Sequence, residues 1–401
     1  MADGHPPPAV RDEPNPMTAA LSARVPLWRD VRVLKWVVQL VVVAIAFGIV
    51  AWLYGNYIEN SQRLNIPTNF NFLDNPAQFQ ITGNSLSQNA PIRQALYEGF
   101  LNTLRVSVAG ILAATVLGTL IGIARLSKNW VLRSLATAYV EAVRNIPLAL
   151  FLVMGLLAIV LGIFPTIAEA WNVVGLMIIS NRGIAVPWYV GSGYGLLLLA
   201  VAGLAVAWVI ARWRRSTSDR TGDLPRSGLW GGAGFVATFA IGWFAFGYAI
   251  TTPEVVGRAT QGGIRIDPSF FALFFALVIY TASHVAEIVR GSIQAVPRGQ
   301  GEAADSLALS GFQKMWYIVL PQAFRIAIPP IGNQYLNLIK NSSLGAAIGY
   351  YDITLVAQTS VGNGSPAVPV FALAMAIYIS ISLVTSVFVN IANRRMMLVE
   401  R

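Results

Sequence analysis

The sequence predicts an all-α, polytopic membrane protein with about eight transmembrane helices. Three observations predict it. Hydrophobic residues fill 55% of the 401 positions and charged residues only 11%, against about 25% charged in an ordinary soluble domain. Mean hydropathy is +0.60. Eight stretches reach the roughly 20 mostly apolar residues that a spanning helix needs. A chain with so few charges has too little polar surface to dissolve, so lipid is the solvent of its outer face.

The stretches are, in order, 33–54, 100–124, 139–164, 188–211, 230–250, 270–289, 318–340 and 368–391. Ahead of the first lies a segment rich in proline and charge, 1–32, which reads as a disordered cytoplasmic tail. It lacks the short apolar core and small-residue cleavage site of a signal peptide, so the first span stays in the protein as an extra N-terminal helix. Residues 55–98, rich in Asn, Gln, Ser and Pro, read as a polar periplasmic loop. The third span, 139–164, reads as one helix. Gly191-Ser-Gly-Tyr-Gly195 is a glycine cluster at the start of the fourth, read as flexibility before its helix. The seventh span holds Pro321, Pro329, Pro330 and Gly332, which remove backbone hydrogen bonds. It is therefore expected to be kinked or discontinuous and shielded by protein.

Lysine and arginine set the direction. With the N-terminus inside, 21 of these residues fall in cytoplasmic segments and 5 outside, and that bias places both termini in the cytoplasm. The net charge of +10 is spread between apolar segments, so it reads as topology and gives no nucleic-acid footprint. There are no cysteines, and His5 and His284 cannot build a histidine metal cluster. The four lysines follow Leu34, Ser127, Gln313 and Ile339. A P-loop needs glycine before its lysine, so the chain has no site of that kind for ATP.

The loop between the sixth and seventh spans carries the most information. Glu302, Ala303 and Ala304 are expected to start a short helix, with Glu302 near the positive end of its dipole. Leu307, Leu309 and Phe312 would give it apolar contacts, and Gly311 would stop it. A short helix fixed between two spans suits the transmission of force from a soluble partner. A helix-turn-helix there could not reach DNA. From the residues alone, an ion-coupled secondary amino-acid transporter stays open as an alternative.

Glu302-Ala303-Ala304, with Ile318-Val-Leu320-Pro321 beyond it, resembles the coupling loop of ABC importer permeases. That family usually has glycine where this chain has Ala308. Further matches to its polar amino-acid branch are Tyr280–Gly291, Ile328–Asn337, Lys340–Leu344, Gly99–Leu104 and Tyr139–Pro147. The resemblance implies a MetI-like core of five helices within 99–401, interrupted by an insertion, 165–267, with two extra helices. This layout, with Asn181–Ala185 in the insertion and Met397–Arg401 at the end, is similar to the general L-amino-acid permeases of the AapQ and BztB type. It implies a bacterial inner-membrane subunit that imports amino acids by alternating access and is not itself an enzyme. The implied partners are a related permease of the AapM or BztC type in a heterodimer, a periplasmic amino-acid-binding protein and two ATP-binding subunits. ATP and Mg would bind to those subunits, with no cofactor on this chain.

Ala308, Gly311, Leu320 and Pro321 join Glu302, Ala303 and Ala304 in the expected coupling element. A zwitterionic substrate needs donors for its carboxylate and acceptors for its ammonium, which helix ends at mid-membrane supply. The candidates are Asn333, Gln334, Lys340, Asn341, Ser342 and Ser343 on the seventh span. His284 and Glu287 on the sixth share a helical face, and ionisable groups inside a membrane are functional candidates.

Overall fold

The computed structural model describes residues 30–81, 86–221 and 226–396. The expected disordered tail, apart from its last residues, and the Met397–Arg401 ending lie outside the described residues. The chain divides into two units, Met1–Asn69 and Phe70–Arg401.

The first unit contributes α1 (Val31–Arg63). Its 33 residues would extend about 50 Å at 1.5 Å each, more than the ~30 Å of bilayer hydrocarbon. Between Val37 and Tyr54 its large apolar side chains are exposed on every side. A helix that is apolar all round is satisfied by lipid or by other helices.

The second unit is built on α2 (Ile92–Ala124), α3 (Trp130–Asn145), α4 (Leu148–Met154), α5 (Gly193–Thr221), α6 (Ser227–Ala245), α7 (Pro268–Gln294), α8 (Arg298–Ser306), α9 (Leu320–Asn341), α10 (Ile353–Gly362) and α11 (Ala367–Met396). Among the described residues, six helices are long and apolar enough to span a membrane, or seven if the bent pair α3–α4 is one span. The expected seventh span is α9, whose amides and prolines keep it outside those six.

The hub is α7, which packs against α2, α3, α4 and α9. The closest approach is to α2, where Gly110, Ala114, Gly118 and Gly122 recur every four residues on one buried face. A Cβ on Gly118 would lie 2.6 Å from Val285 Cβ and 2.8 Å from the Ala282 carbonyl oxygen. One on Gly122 would lie 2.7 Å from the Ala286 carbonyl oxygen. Small residues at this spacing let two backbones touch where no hydrophobic effect drives helices together.

The breaks fall at different prolines from those expected. The third span does not run straight through 139–164. Ile146 is extended (φ −100°, ψ 130°) ahead of Pro147, and α3 and α4 meet at 101°, because proline disfavours helical backbone in the residue before it. Beyond α4 the chain continues as a π-helix, Gly155–Leu161. By contrast, α9 passes Pro329 and Pro330 as one unbroken helix. Its irregular turns lie at its two ends, a π-helix at Lys314–Val319 and a 3-10 helix at Ser342–Ile348. Pro321 has no N–H for the Tyr317 carbonyl, which accounts for the loosened turn before α9.

The insertion contains strands that hydropathy alone does not foretell. β1 (Trp171–Val173), β2 (Met177–Ser180), β3 (Gly183–Val186) and β8 (Ile264–Ile266) form an antiparallel sheet in that order. β4 (Trp188–Val190) pairs with β5 (Ala249–Thr251), and β6 (Glu254–Val256) with β7 (Ala259–Gln261). The fourth span therefore starts at Gly193, after a strand, and not at Trp188. Ile184 pairs with Ile266, so the insertion returns to the bundle beside the point where it left. Between β4 and β5, α5 and α6 form a hairpin in which Gly203 meets Phe235 and Gly242 meets Leu199.

The loop before α2 is more than a polar cap. Phe72, Ala77, Phe79 and Ile81 are buried with Ile92, Leu96, Ile353, Val356 and Val370. Asp352 caps α10 by accepting from Leu355 N at 2.9 Å and from the Tyr378 hydroxyl at 2.7 Å.

Candidate functional site

α8 begins at Arg298 behind Pro297, four residues earlier than Glu302. Glu302 consequently lies in the second turn, away from the free N–H groups at the helix start, and the expected dipole interaction is absent. Gly311 does not end the helix. Leu309 N bonds the Ala304 carbonyl and Ala308 N bonds that of Asp305, with Ala308 left-handed at φ +54°. These are the bonds of a Schellman cap, so Ala308 is the stop. Gly311 opens the next turn, whose capping box joins Ser310 and Gln313.

The ion pair Lys314–Asp305, at 2.8 Å, fixes α8 against the π-helix. Gln322 Nε2 donates to Gln300 Oε1 at 3.2 Å, fixing α8 to α9. Ala304 is buried in this contact at 2% exposure, whereas Glu302 and Ala303 face outward. Leu307 and Phe312, expected to support the helix, are instead exposed, together with Trp316 and Tyr317. Phe312 and Trp316 stack at 6.1 Å. Leu320 and Pro321 form the first turn of α9.

Along α9 the buried face carries Ala323, Ala327, Gly332, Leu338 and Ile339. The exposed face carries Ile326, Pro329, Asn333, Asn337 and Lys340. Pro329 and Pro330 cannot donate to the carbonyls of Arg325 and Ile326, which adds free acceptors to that side. Gln334 and Asn341 are half-buried. The Ser342 hydroxyl donates to the Ile339 carbonyl at 2.7 Å and that of Ser343 to the Lys340 carbonyl at 2.8 Å.

His284 and Glu287 stand apart from this stripe. Among the described residues no hydrogen bond or ion pair joins either one to Asn333, Gln334 or Lys340. The His284 ring lies 4.8 Å from that of Tyr280, and its Nε2 is buried without a partner. Glu287 accepts from Arg290 and also from Arg125 at the end of α2. Its pairing with Arg125, 162 residues away, had no local signal that could have announced it.

The sequence from 108 to 398 matches the family of binding-protein-dependent transport system inner membrane components. The chain belongs to this family. Three relatives extend the match over almost the whole chain. The general L-amino acid transport system permease protein AapQ of Rhizobium johnstonii is 39% identical, over 90% of this chain and 92% of its own length. The putative amino-acid ABC transporter permease protein YhdX of Escherichia coli is 38% identical, over 91% and 95%. The glutamate/glutamine/aspartate/asparagine transport system permease protein BztB of Rhodobacter capsulatus is 33% identical, over 93% and 96%.

Proposed function

We propose that this chain is a permease subunit of an ATP-driven importer that takes up L-amino acids across the bacterial inner membrane by alternating access. The names of its relatives support the substrate class, and the lysine and arginine bias supports cytoplasmic termini. The observation that carries the mechanism is mechanical continuity. An outward-facing patch of Glu302, Leu307, Phe312, Trp316 and Tyr317 lies on a segment in which Lys314–Asp305 holds α8 to the π-helix and Gln322–Gln300 holds α8 to α9. The same α9 presents Asn333, Asn337 and Lys340 outward. Polar groups at membrane depth need protein or a water-filled path beside them.

In this reading the patch docks on an ATP-binding subunit, one of two, which carry the ATP and Mg; this chain binds no cofactor and is not an enzyme. The stripe faces the pathway shared with a second, related permease. A periplasmic binding protein delivers the amino acid. ATP-driven closure moves α8 and α9 together, and the pathway opens inward. Asn333, Gln334, Lys340 and Asn341 offer substrate contacts there, Ser342 and Ser343 shape the helix end, and His284, apart from the stripe on α7, supplies an unused nitrogen. Glu287 holds α2 to α7.

The test is reconstitution of the complete assembly in proteoliposomes. Glu302→Lys is expected to insert and assemble but to lose ATP-dependent amino-acid uptake by about tenfold or more, as the removal of a docking contact implies. Normal uptake by that variant would sink the coupling role. Accumulation driven by an ion gradient without nucleotide would sink the importer reading.

A further inference from the structure

Two cavities in the bundle differ sharply in chemistry. One, of roughly 670 Å³, lies between α2, α7, α9 and α11. It is lined by apolar groups and hydroxyls such as Thr115, Thr119 and Tyr335, with no charged side chain. The other, of roughly 580 Å³, lies at the opposite end of α7 from α8, beside β8, and holds Glu98, Arg105, Arg265 and Asp267 in its wall. Its volume is within the ~300–1,000 Å³ of small-molecule sites.

The charges of this second cavity are close but incompletely joined. Arg105 Nη1 stands 3.8 Å from Glu98 Oε2, and Arg265 Nη2 stands 3.7 Å from Asp267 Oδ1. Both separations exceed hydrogen-bond length. Glu98 Oε2 is buried and accepts no hydrogen bond. Burial raises the Asp267 carboxyl above its ordinary range, with Arg265 pulling the other way. Asn102, by contrast, is fully engaged, accepting from Arg105 at 2.7 Å and donating to the Tyr351 carbonyl at 2.9 Å. Trp188, Phe270, Tyr350 and Tyr351 give the wall four aromatic rings, and Ile264 and Ile266 add aliphatic surface.

We infer that this cavity is a receiving site for the zwitterionic head of a free α-amino acid, separate from the α9 stripe. An α-ammonium has three donors for Glu98 and Asp267, and an α-carboxylate accepts from the planar guanidinium of Arg105 or Arg265. The aromatic wall takes the side chain by area and not by a fixed polar pattern, so side chains of different type fit. The inserted segment is integral to the site. It supplies Trp188 and Arg265, and the bundle supplies Glu98, Arg105 and Tyr350. The inference rests on the importer reading, which puts this end of the bundle on the side where substrate arrives.

The test uses the complete assembly. Equilibrium binding of labelled L-glutamine is measured without binding protein or nucleotide, and uptake is measured with both. Wild type is expected to bind L-glutamine, with L-leucine competing. Glutamine methyl ester, lacking the carboxylate, and N-acetylglutamine, lacking the ammonium, should compete roughly tenfold less well, as the loss of a charge-assisted hydrogen bond dictates. Arg105→Gln and Arg265→Gln should each raise the KM for uptake and erase the discrimination against the ester. Glu98→Gln should erase discrimination against the N-acetyl compound alone. That selective loss cannot come from general misfolding, and Arg265→Gln, altering an exposed strand residue, guards against a variant that fails to assemble. Wild-type uptake with unchanged KM and unchanged discrimination in all three variants would overturn the inference. A wild-type assembly that takes up no amino acid would overturn the importer reading, and this inference with it.

Discussion

Ala308 shows how one residue can set the shape of the element proposed to couple the chain to its ATPase. At φ +54° it occupies left-handed backbone, which costs a residue with a Cβ about 1–2 kcal/mol. It holds that conformation because the cap pairs two carbonyls at the end of α8, and because Lys314–Asp305 clamps the turn from outside. Glycine would keep both bonds without the steric cost. Ala308→Gly should therefore stabilise the capped turn by about 1 kcal/mol, somewhat less than the relieved strain because glycine is freer when the turn opens. Hydrogen exchange at the Leu307, Ala308 and Leu309 amides, all bonded into the cap, should slow in the variant. Faster exchange there would show that the turn is set by something other than Ala308.

Among the elements, α2 and α7 share the most extensive contact, and glycine is what permits it. A methyl added at Gly118 would fall inside contact distance of both Val285 and the Ala282 backbone, and backbone cannot swing aside. Gly118→Ala should cost about 1–3 kcal/mol, the usual price of overpacking, seen as a lower melting temperature of the purified protein. Gly232, in α6, has open space around its missing Cβ. Gly232→Ala should instead gain about 0.5–1 kcal/mol through helix propensity. Equal effects of the two changes would refute the packing argument. This contrast also explains what could be read in advance. Spans were legible because lipid demands long apolar runs, and α2 and α7 were placed by that demand alone. The break at Pro147 and the continuity through Pro329–Pro330 were not legible, because proline restricts the residue before it but leaves the bend to packing. Strands of three or four residues, such as Trp188–Val190, carry no period long enough to separate them from the start of an apolar helix. At the site, the presence of a short helix over Glu302–Ala304 was legible, but its start at Arg298 was not. The Arg125–Glu287 pair and the cavity around Glu98 were not, because their residues meet only after distant helices pack.

At the scale of the Phe70–Arg401 unit, the insertion divides into two parts with different duties. The strands tie its ends together, through Ile184–Ile266 and Val190–Ala249, and lie against the bundle at the charged cavity. The hairpin of α5 and α6 satisfies itself. Glycines of each helix admit side chains of the other, Arg214 lies 5.1 Å above the Trp230 ring, and Arg215 donates to Ser227. Val190 and Ala249 are directly paired across β4 and β5, so a two-residue Asn-Gly turn can join them in the geometry that a β-hairpin favours. Replacing residues 191–248 by that turn removes two spans. An even number leaves the direction of every later helix unchanged, so α7 would still enter the membrane from the side of the strands and α8 would still emerge on the other. Trp188, Arg265, Glu98 and Arg105 are all retained. The shortened chain should insert, assemble and take up L-glutamine with an unchanged KM. A chain that assembles but shows a raised KM would mean that the hairpin itself shapes the receiving cavity. Failure to insert would mean that α5 and α6 carry the topology of α7, against the self-contained packing argued here.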